Sequence, residues 1–305
     1  MKHIYIFLIA GILLFASSCN LINPAEPIPA YIHIEKIGLT TNYATEGSNS
    51  SKITDAWVYM DGELVGCFEL PVTFPVIADN GMHNFVIKPG IKVNGIAATR
   101  APYPFYNSYN ATISLTKGVV TTMSPMVTYV SNINWSTGSV AGSMWKDDFE
   151  GTGTTTDTSP TPGVNTIIEK ISRTTDPANV FEGTYSGIAR LNNSDHTYCE
   201  VINTSPSTTY LPGGTSPVFL EMNYKCNYPF TIGLFAYSAA TSVKMSIINL
   251  HSTSDQWNKV YIYVTPQISQ ASNPIYFNMF LGMLNTDNVP NPYFAVDNIK
   301  LVHFQ

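Results

Sequence analysis

Two tyrosines in one short β-rich segment are the side chains best suited to hold a ligand. In Val260-Tyr261-Ile262-Tyr263-Val264 the alternation of a strand places Tyr261 and Tyr263 on the same face. Aromatic faces can stack on sugar rings while a few polar groups fix the hydroxyls. If this face is wet, it is a platform for a saccharide; if it is packed, it is core. The pattern alone leaves both interpretations open.

A second aromatic segment, RAPYPFYNSY, occupies residues 100–109. Arg100, Tyr103 and Tyr106 are of the types enriched at binding hot spots. Two prolines stiffen the segment, which lowers the ordering cost of binding. The segment predicts either an exposed anchor for a partner or a rigid loop that caps a β-sandwich.

Catalytic signatures are missing from the sequence. It contains no G-x-S-x-G, H-E-x-x-H or P-loop motif, and His196 beside Asp195 has no nucleophile signature nearby. Two carboxylates of a glycosidase can converge from distant positions, so a glycan hydrolase stays the least favoured alternative. A net charge of −6 without a basic stripe argues against nucleic acid as a partner.

Four cysteines are present, and none lies in a C-x-x-C motif or a Cys/His cluster that would indicate zinc. If Cys19 carries lipid, three cysteines remain, and an odd number cannot form a fully paired disulfide framework. Cys199 and Cys226 lie on predicted strands of one domain and could form a disulfide. The alternative is that these two and Cys67 are small buried thiols.

The amino terminus has the pattern of a secretory signal. Lys2 and His3 precede an apolar run from Ile4 to Phe15, and small residues at 16–18 lead to Cys19. The run is shorter than the roughly 20 residues that span a bilayer. The layout resembles the lipobox of bacterial lipoproteins. This resemblance implies a signal peptide at 1–18 and a covalent lipid on the sulfur of Cys19; the alternative is a plain secretory signal. Residues 20–30 contain three prolines and no periodicity, which predicts an extended tether, so that the lipidated Cys and its tether span 19–30.

Residues 31–130 have the pattern of a first β domain, which opens with period-two alternation at Ile32–Ile37. Asp61-Gly62 joins two β-rich runs, Trp57–Met60 and Glu63–Gly66, and predicts a hairpin with a type I′ turn. Over residues 58–90 a strand, an Asp-Gly turn and a second strand are followed by Gly, Pro, Gly and His before a further strand. This order resembles that of PEGA-type modules. The resemblance implies a small Ig/PEGA-like β-sandwich that interacts with other molecules and has no active site.

Residues 147–305 contain short β-rich runs spaced by Gly, Pro, Asn and Thr clusters, which is typical of a jelly roll. The predicted strands are Gly187–Leu191, Thr197–Ile202, Val218–Tyr224, Phe230–Tyr237, Lys259–Val264, Ile275–Met283 and Phe294–Val302. Segment 164–174 predicts a short helix or a strand. Residues 131–146 link the two domains, and Trp135 and Trp145 indicate a partly packed joint.

The second domain resembles the jelly-roll carbohydrate-binding modules of the CBM4/9/22-like group. The matching motifs are DFEG at 148–151, GxxSG at 183–187, Trp257, and DNIKL at 297–301. In such modules the first and last strands lie side by side, and carboxylates on them hold a structural Ca²⁺. Carried over to this chain, the ligands are Glu150 and Asp297, with Asp148 as a weaker candidate. The alternative is that Glu150 and Asp297 pair with Lys300 or Arg190.

The sequence therefore predicts an all-β protein with two tandem β-sandwich domains, Ig/PEGA-like and then jelly-roll, behind a lipoprotein signal. Its composition looks like that of outer-membrane lipoproteins of the Bacteroidota. Only one acid, Glu26, closely follows Cys19, which favours the periplasmic face over the cell surface. The main functional hypothesis is a non-catalytic envelope protein that binds or scaffolds an envelope protein or polysaccharide. The alternative is a glycan-binding surface lipoprotein that uses the 147–305 domain.

Overall fold

The computed structural model describes residues 26–77, 79–134, 146–151, 156–158, 168–191, 198–203 and 211–304. These residues form an all-β protein whose helical parts are short. No helix among them is long and apolar enough to cross a membrane. The predicted signal, Cys19 and the two linker tryptophans, Trp135 and Trp145, lie outside the described residues.

Strands are numbered β1 to β22 along the chain, and the first eleven lie between residues 30 and 134. They are β1 Ala30–Ile34, β2 Gly38–Leu39, β3 Asp55–Met60, β4 Glu63–Glu69, β5 Val72–Val76, β6 Gly81–Lys92, β7 Arg100–Pro102, β8 Tyr109–Leu115, β9 Val120–Met123, β10 Met126–Val127 and β11 Ile133–Asn134. A helix of one turn, α1, spans Tyr43–Glu46 and is capped by the side chain of Asn42.

The first domain is built from a sheet of order β4-β3-β6-β7, in which β8 also pairs with β6, and from a sheet of order β5-β1-β9. Strands β2 and β10 form a separate pair. The predicted hairpin between β3 and β4 is confirmed. Its central residues, Asp61 and Gly62, have φ of 51° and 90°, as a type I′ turn requires.

The remaining strands belong to the second domain. They are β12 Lys146–Asp147, β13 Thr156–Thr158, β14 Glu169–Ser172, β15 Tyr185–Arg190, β16 Tyr198–Asn203, β17 Val218–Cys226, β18 Phe230–Tyr237, β19 Ser242–Leu250, β20 Asn258–Tyr263, β21 Tyr276–Leu284 and β22 Tyr293–Phe304. A 3₁₀ turn spans Pro177–Asn179, and helix α2 spans Thr265–Gln270. All seven predicted strands are found to within two residues at each end, and β14 favours the strand interpretation of segment 164–174.

Two sheets face each other in this domain. One has the order β14-β15-β22-β17-β20, with β11 and β12 also pairing with β22; the other has the order β13-β16-β21-β18-β19. Apolar side chains such as Leu220, Ile232 and Leu281 fill the space between them. Strand β12 pairs with β22, with Asp147 opposite Ile299. The first and last strands of the domain therefore lie side by side, as the resemblance implied.

The two domains are packed against each other. Strand β11, which lies in the segment predicted as a linker, pairs with β22, with Ile133 opposite Phe304. Phe219, Tyr261 and Val302 of the second domain belong to the same buried cluster as the core of the first. A continuous apolar core therefore crosses the joint.

The three cysteines that the structure describes are free thiols. Cys199 and Cys226 are buried and unbridged, so the disulfide considered for them is wrong. Cys67 is exposed, so the prediction that all three thiols are buried fails at that residue.

Candidate functional site

The two aromatic segments singled out from the sequence face each other across the joint. Tyr261 and Tyr103 are each 2% exposed and Tyr106 is 5% exposed. The rings of Tyr103 and Tyr261 lie 4.9 Å apart, and the hydroxyls of Tyr106 and Tyr261 lie 3.1 Å apart. The predictions of a wet platform and of an exposed anchor are therefore wrong, because each segment covers the other.

Tyr263 and Arg100 are also occupied by structural contacts. The half-buried ring of Tyr263 lies 5.1 Å from that of Phe219. Arg100 forms ion pairs with buried Asp55 and, at 2.8 Å, with Glu69. Alternation correctly placed Tyr261 and Tyr263 on one face. It could not show that another domain covers this face.

A buried carboxylate organises the joint. Glu221 is fully buried and accepts a hydrogen bond of 2.7 Å from the hydroxyl of Tyr103 and bonds of 3.0 Å from that of Tyr129. The ammonium of Lys259 lies 3.4 Å from the same carboxylate. Burial, followed by the charge of Glu221, holds the pKa of Tyr103 well above its usual value, so its hydroxyl stays a donor.

The predicted calcium ligands accept hydrogen bonds from the protein itself. Glu150 Oε1 accepts from the amides of Thr184 and Tyr185, at 2.7 and 2.9 Å. Asp297 Oδ2 accepts from the hydroxyl of Ser186 at 2.7 Å and from the amide of Glu182 at 3.2 Å. Burial raises the pKa of Asp297 to about 7.

Asp148, the third candidate, accepts a hydrogen bond of 3.2 Å from the hydroxyl of Tyr43. The described residues bring no three His, Cys, Asp or Glu side chains into a group that could hold a metal ion. The alternative partners are also engaged elsewhere, because Lys300 donates to the carbonyl of Ser48 and Arg190 pairs with Asp176. The contacts do not assemble a calcium site, which stays a prediction that melting with and without EDTA tests.

The outer face of the smaller sheet of the second domain carries a different cluster of aromatic and polar groups. We call it the tyrosine face; it comprises Tyr198, Glu200, Phe235, Tyr237, Lys244, Tyr276, Asn278 and Phe280. Side chains at alternate positions of β16, β18, β19 and β21 point to this side, while their neighbours fill the core. The register between β18 and β21 places Tyr237 opposite Tyr276 and Phe235 opposite Asn278.

Two glycines make room in the middle of the tyrosine face. A side chain at Gly233 would collide with the ring of Phe280, which lies opposite it. A Cβ at Gly282 would lie 3.2 Å from the hydroxyl of Tyr198. Without these side chains Lys244 reaches across the sheet to pair with Glu200 on β16.

Lys244 sits over aromatic rings as it crosses. Its Nζ lies 4.7 Å from the centroid of Phe280 and 5.2 Å from that of Tyr198. It also donates a 2.7 Å hydrogen bond to the Tyr198 hydroxyl, which in turn donates to Glu200. Glu200 is fully buried, whereas the Lys244 side chain is 36% exposed. A fixed cation is thus presented to solvent above the buried rings of Phe235 and Phe280, and the half-buried Tyr198 lies beside it.

Tyr237 and Tyr276 form the end of the tyrosine face. Their rings are stacked, with centroids 4.4 Å apart and planes at 11°, and both residues are half-buried. Burial raises the pKa of Tyr237 to about 12, so its hydroxyl is a neutral donor and acceptor. The pair offers aromatic surface and two hydroxyls at one place.

Sequence reasoning missed this face. Neither Tyr237 nor Tyr276 was singled out from the sequence. The alternation Tyr276-x-Asn278-x-Phe280 and the adjacent Phe235-x-Tyr237 carried the signal. The choice between this face and that of Tyr261 depends on which sheet packs against the first domain, which periodicity does not report.

A glycosidase needs two carboxylates set apart across the scissile bond. On the tyrosine face Glu200 is the only carboxylate whose side chain the structure describes, and it is paired with Lys244. The arrangement can bind and orient a ligand that offers ring surface and hydroxyls.

Comparison with known proteins gives only distant likenesses. No protein-family model matches the chain, and no curated protein matches it. The CBM22-2 xylan-binding domain from Paenibacillus barcinonensis Xyn10C has a TM-score of 0.37 and 15% identity, covering 53% of this chain and 99% of that one. The family 11 carbohydrate-binding module from Clostridium thermocellum, in complex with a β-1,3-1,4-mixed-linked tetrasaccharide, has a TM-score of 0.33 and 15% identity, covering 51% and 92%.

A third solved structure, of the carbohydrate-binding modules from the β-sandwich superfamily, has a TM-score of 0.34 and 14% identity, covering 81% of this chain and 84% of that one. All three neighbours are carbohydrate-binding modules. At these values the likeness carries no argument about the ligand of this chain, and its all-β fold is established by its own strands.

Proposed function

We propose that this protein binds a glycan through the tyrosine face. The observation that carries the proposal is the stacked pair of Tyr237 and Tyr276, half-buried at the end of a sheet face that also presents Lys244. Saccharide rings have apolar C–H faces that suit aromatic surface, and their hydroxyls need a few fixed polar partners. The tyrosine face offers both on strands, which hold them more rigidly than loops do.

Affinity electrophoresis of the protein through gels that contain neutral polysaccharides tests this proposal. We expect at least one polysaccharide to retard the protein. Tyr237→Ala should weaken that binding about tenfold, because it removes one ring of the stacked pair. Tyr59→Ala is the matched control, since Tyr59 is a half-buried tyrosine of the first domain that lies under Lys88.

The control variant should bind as the unchanged protein does. Failure of every polysaccharide to retard the protein, or equal binding by Tyr237→Ala and the unchanged protein, would contradict glycan binding at this face. Scaffolding of another envelope protein, the main hypothesis from the sequence, would then be favoured.

We also propose that the protein is tied to a bacterial outer membrane by lipid on Cys19, with the periplasmic face favoured. The support is the run of Ile4 to Phe15 followed by small residues and Cys19. Mass spectrometry of the native amino terminus tests this directly, and an unmodified Cys19 thiol would refute it. Release by protease from intact cells would overturn the periplasmic placement.

A further inference from the structure

A groove with a volume of 410 Å³ lies at the joint between the two domains. Lys52 and Asn94 line it from the first domain, and Tyr224, His251, Asn258 and Lys259 line it from the second. Its volume falls within the range of about 300–1,000 Å³ found for small-molecule sites. No residue of the tyrosine face lines it, so the groove is a separate feature.

A small cavity of 20 Å³ adjoins the groove. Lys52, Lys92, Lys259 and Tyr261 are among its walls, and Lys52 and Lys259 also line the groove. A space of this size holds one water molecule or one ligand oxygen. Three of the residues that line this small cavity are lysines.

Lys259 has unused hydrogen-bonding capacity at this place. The residue is 5% exposed, and among the described residues its Nζ has no hydrogen-bond partner. The carboxylate of Glu221 forms an ion pair with this ammonium at 3.4 Å, but no hydrogen bond joins the two groups. A buried ammonium with three donors is costly unless those donors find acceptors.

Lys52 adds a second cation at the mouth of the cavity. Its ammonium donates to the side-chain oxygen of Asn258 at 2.5 Å, which is a neutral partner. Lys92 on the cavity wall is held by Glu69 at 2.8 Å. Burial is the main cause that lowers the pKa of Lys52, and the positive charge of Lys92 lowers it further. An anion placed between Lys52 and Lys259 would be attracted by both side chains.

We infer that this groove binds an acidic saccharide, whose carboxylate lies between Lys52 and Lys259. One carboxylate oxygen occupies the small cavity. The side-chain NH₂ of Asn94 and the imidazole of His251 line the groove and would meet the sugar hydroxyls. The site goes beyond the proposed function, because it uses different residues and selects for charge.

Isothermal titration calorimetry with D-glucuronate, D-glucose and sodium sulfate tests the inference on the soluble protein that begins after Cys19. We expect glucuronate to bind and glucose, which lacks the carboxylate, to show no binding. Lys52→Met should weaken glucuronate binding at least about tenfold, because it removes a charge-assisted hydrogen bond. Lys52 is changed rather than Lys259, since Lys259 balances buried Glu221.

Lys117→Met is the matched control, because Lys117 is an exposed lysine of the first domain outside the groove. It should leave glucuronate binding unchanged, as should Tyr237→Ala, which tests only the tyrosine face. The inference is overturned if glucuronate does not bind, if Lys52→Met binds it as well as the unchanged protein, or if sulfate binds equally well, since the site would then select charge without the sugar.

Discussion

At the residue scale, buried charge rather than exposed aromatic surface distinguishes the joint. Glu221, Lys259 and Lys300 are all nearly inaccessible to solvent, and tyrosine hydroxyls and a backbone carbonyl satisfy Glu221 and Lys300. Removing one partner of a buried ion pair costs about 3–5 kcal/mol, because it leaves the other charge uncompensated. The orientation of the two domains is therefore fixed by specific side chains as well as by apolar contact.

Lys300 should make stability depend on pH. Burial is the main cause that lowers its pKa to about 7. The negative charge of Glu221 raises this pKa, and the positive charges of Lys259 and Lys146 lower it further. Between about pH 7 and the ordinary lysine pKa of about 10.4, the unfolded chain binds the proton that the folded protein has lost. Raising the pH through this range therefore favours the folded state.

We expect the free energy of unfolding of the unchanged protein, relative to that of Lys300→Met, to rise between pH 7 and 9. Urea denaturation at several pH values measures it. Lys117→Met should show no such trend relative to the unchanged protein. Parallel curves for Lys300→Met and the unchanged protein would show that Lys300 keeps its proton throughout.

Residue types alone predicted part of this chemistry. The pairing of Tyr261 with Tyr263 on one face followed from strand alternation and is confirmed. Their exposure could not be predicted, because it depends on Tyr103 and Tyr106, which lie more than a hundred residues earlier. This long-range contact buries Tyr261 between the two domains instead of leaving it exposed to a ligand.

At the element scale, local patterns predicted strands well where one face is buried. The hairpin around Asp61-Gly62 and the run Phe230–Tyr237 follow from turn chemistry and apolar periodicity. Strand β19, Ser242–Leu250, was missed because it is an edge strand whose residues are mostly exposed. Lys244 lies on this strand, so missing it concealed the polar side of the tyrosine face.

Gly233 is the position on β18 where the tyrosine face is most sensitive to a change of size. A Cβ there would meet the ring of Phe280 and the backbone carbonyl of Met245. We expect Gly233→Ala to lower the free energy of unfolding by about 1–3 kcal/mol, the usual cost of overpacking. It should also weaken polysaccharide binding, because the displaced ring lies beneath Lys244.

Urea denaturation and affinity electrophoresis measure these two effects. Gly213→Ala serves as the control, because a Cβ at Gly213 meets nothing within 4 Å. It should change stability by no more than about 0.5 kcal/mol. Equal stability of Gly233→Ala and the control would mean that the sheet absorbs the methyl group without displacing Phe280.

At the scale of the whole molecule, the two sandwiches form one packed body over the described residues. The shared core, the pairing of β11 with β22 and the Glu221 network cover one face of the second domain. The stacked pair of Tyr237 and Tyr276 lies on the opposite sheet, where both residues stay half-buried. This arrangement explains why the glycan site is proposed on the smaller sheet, and it leaves the groove of Lys52 and Lys259 at the joint.

The most direct measurement is a crystal structure of the protein soaked with an oligosaccharide of whichever polysaccharide retards it. We expect a sugar ring to lie on Tyr237 or Tyr276, with a hydroxyl within hydrogen-bonding distance of Lys244. A saccharide bound elsewhere on the molecule, with the tyrosine face bare, would contradict it.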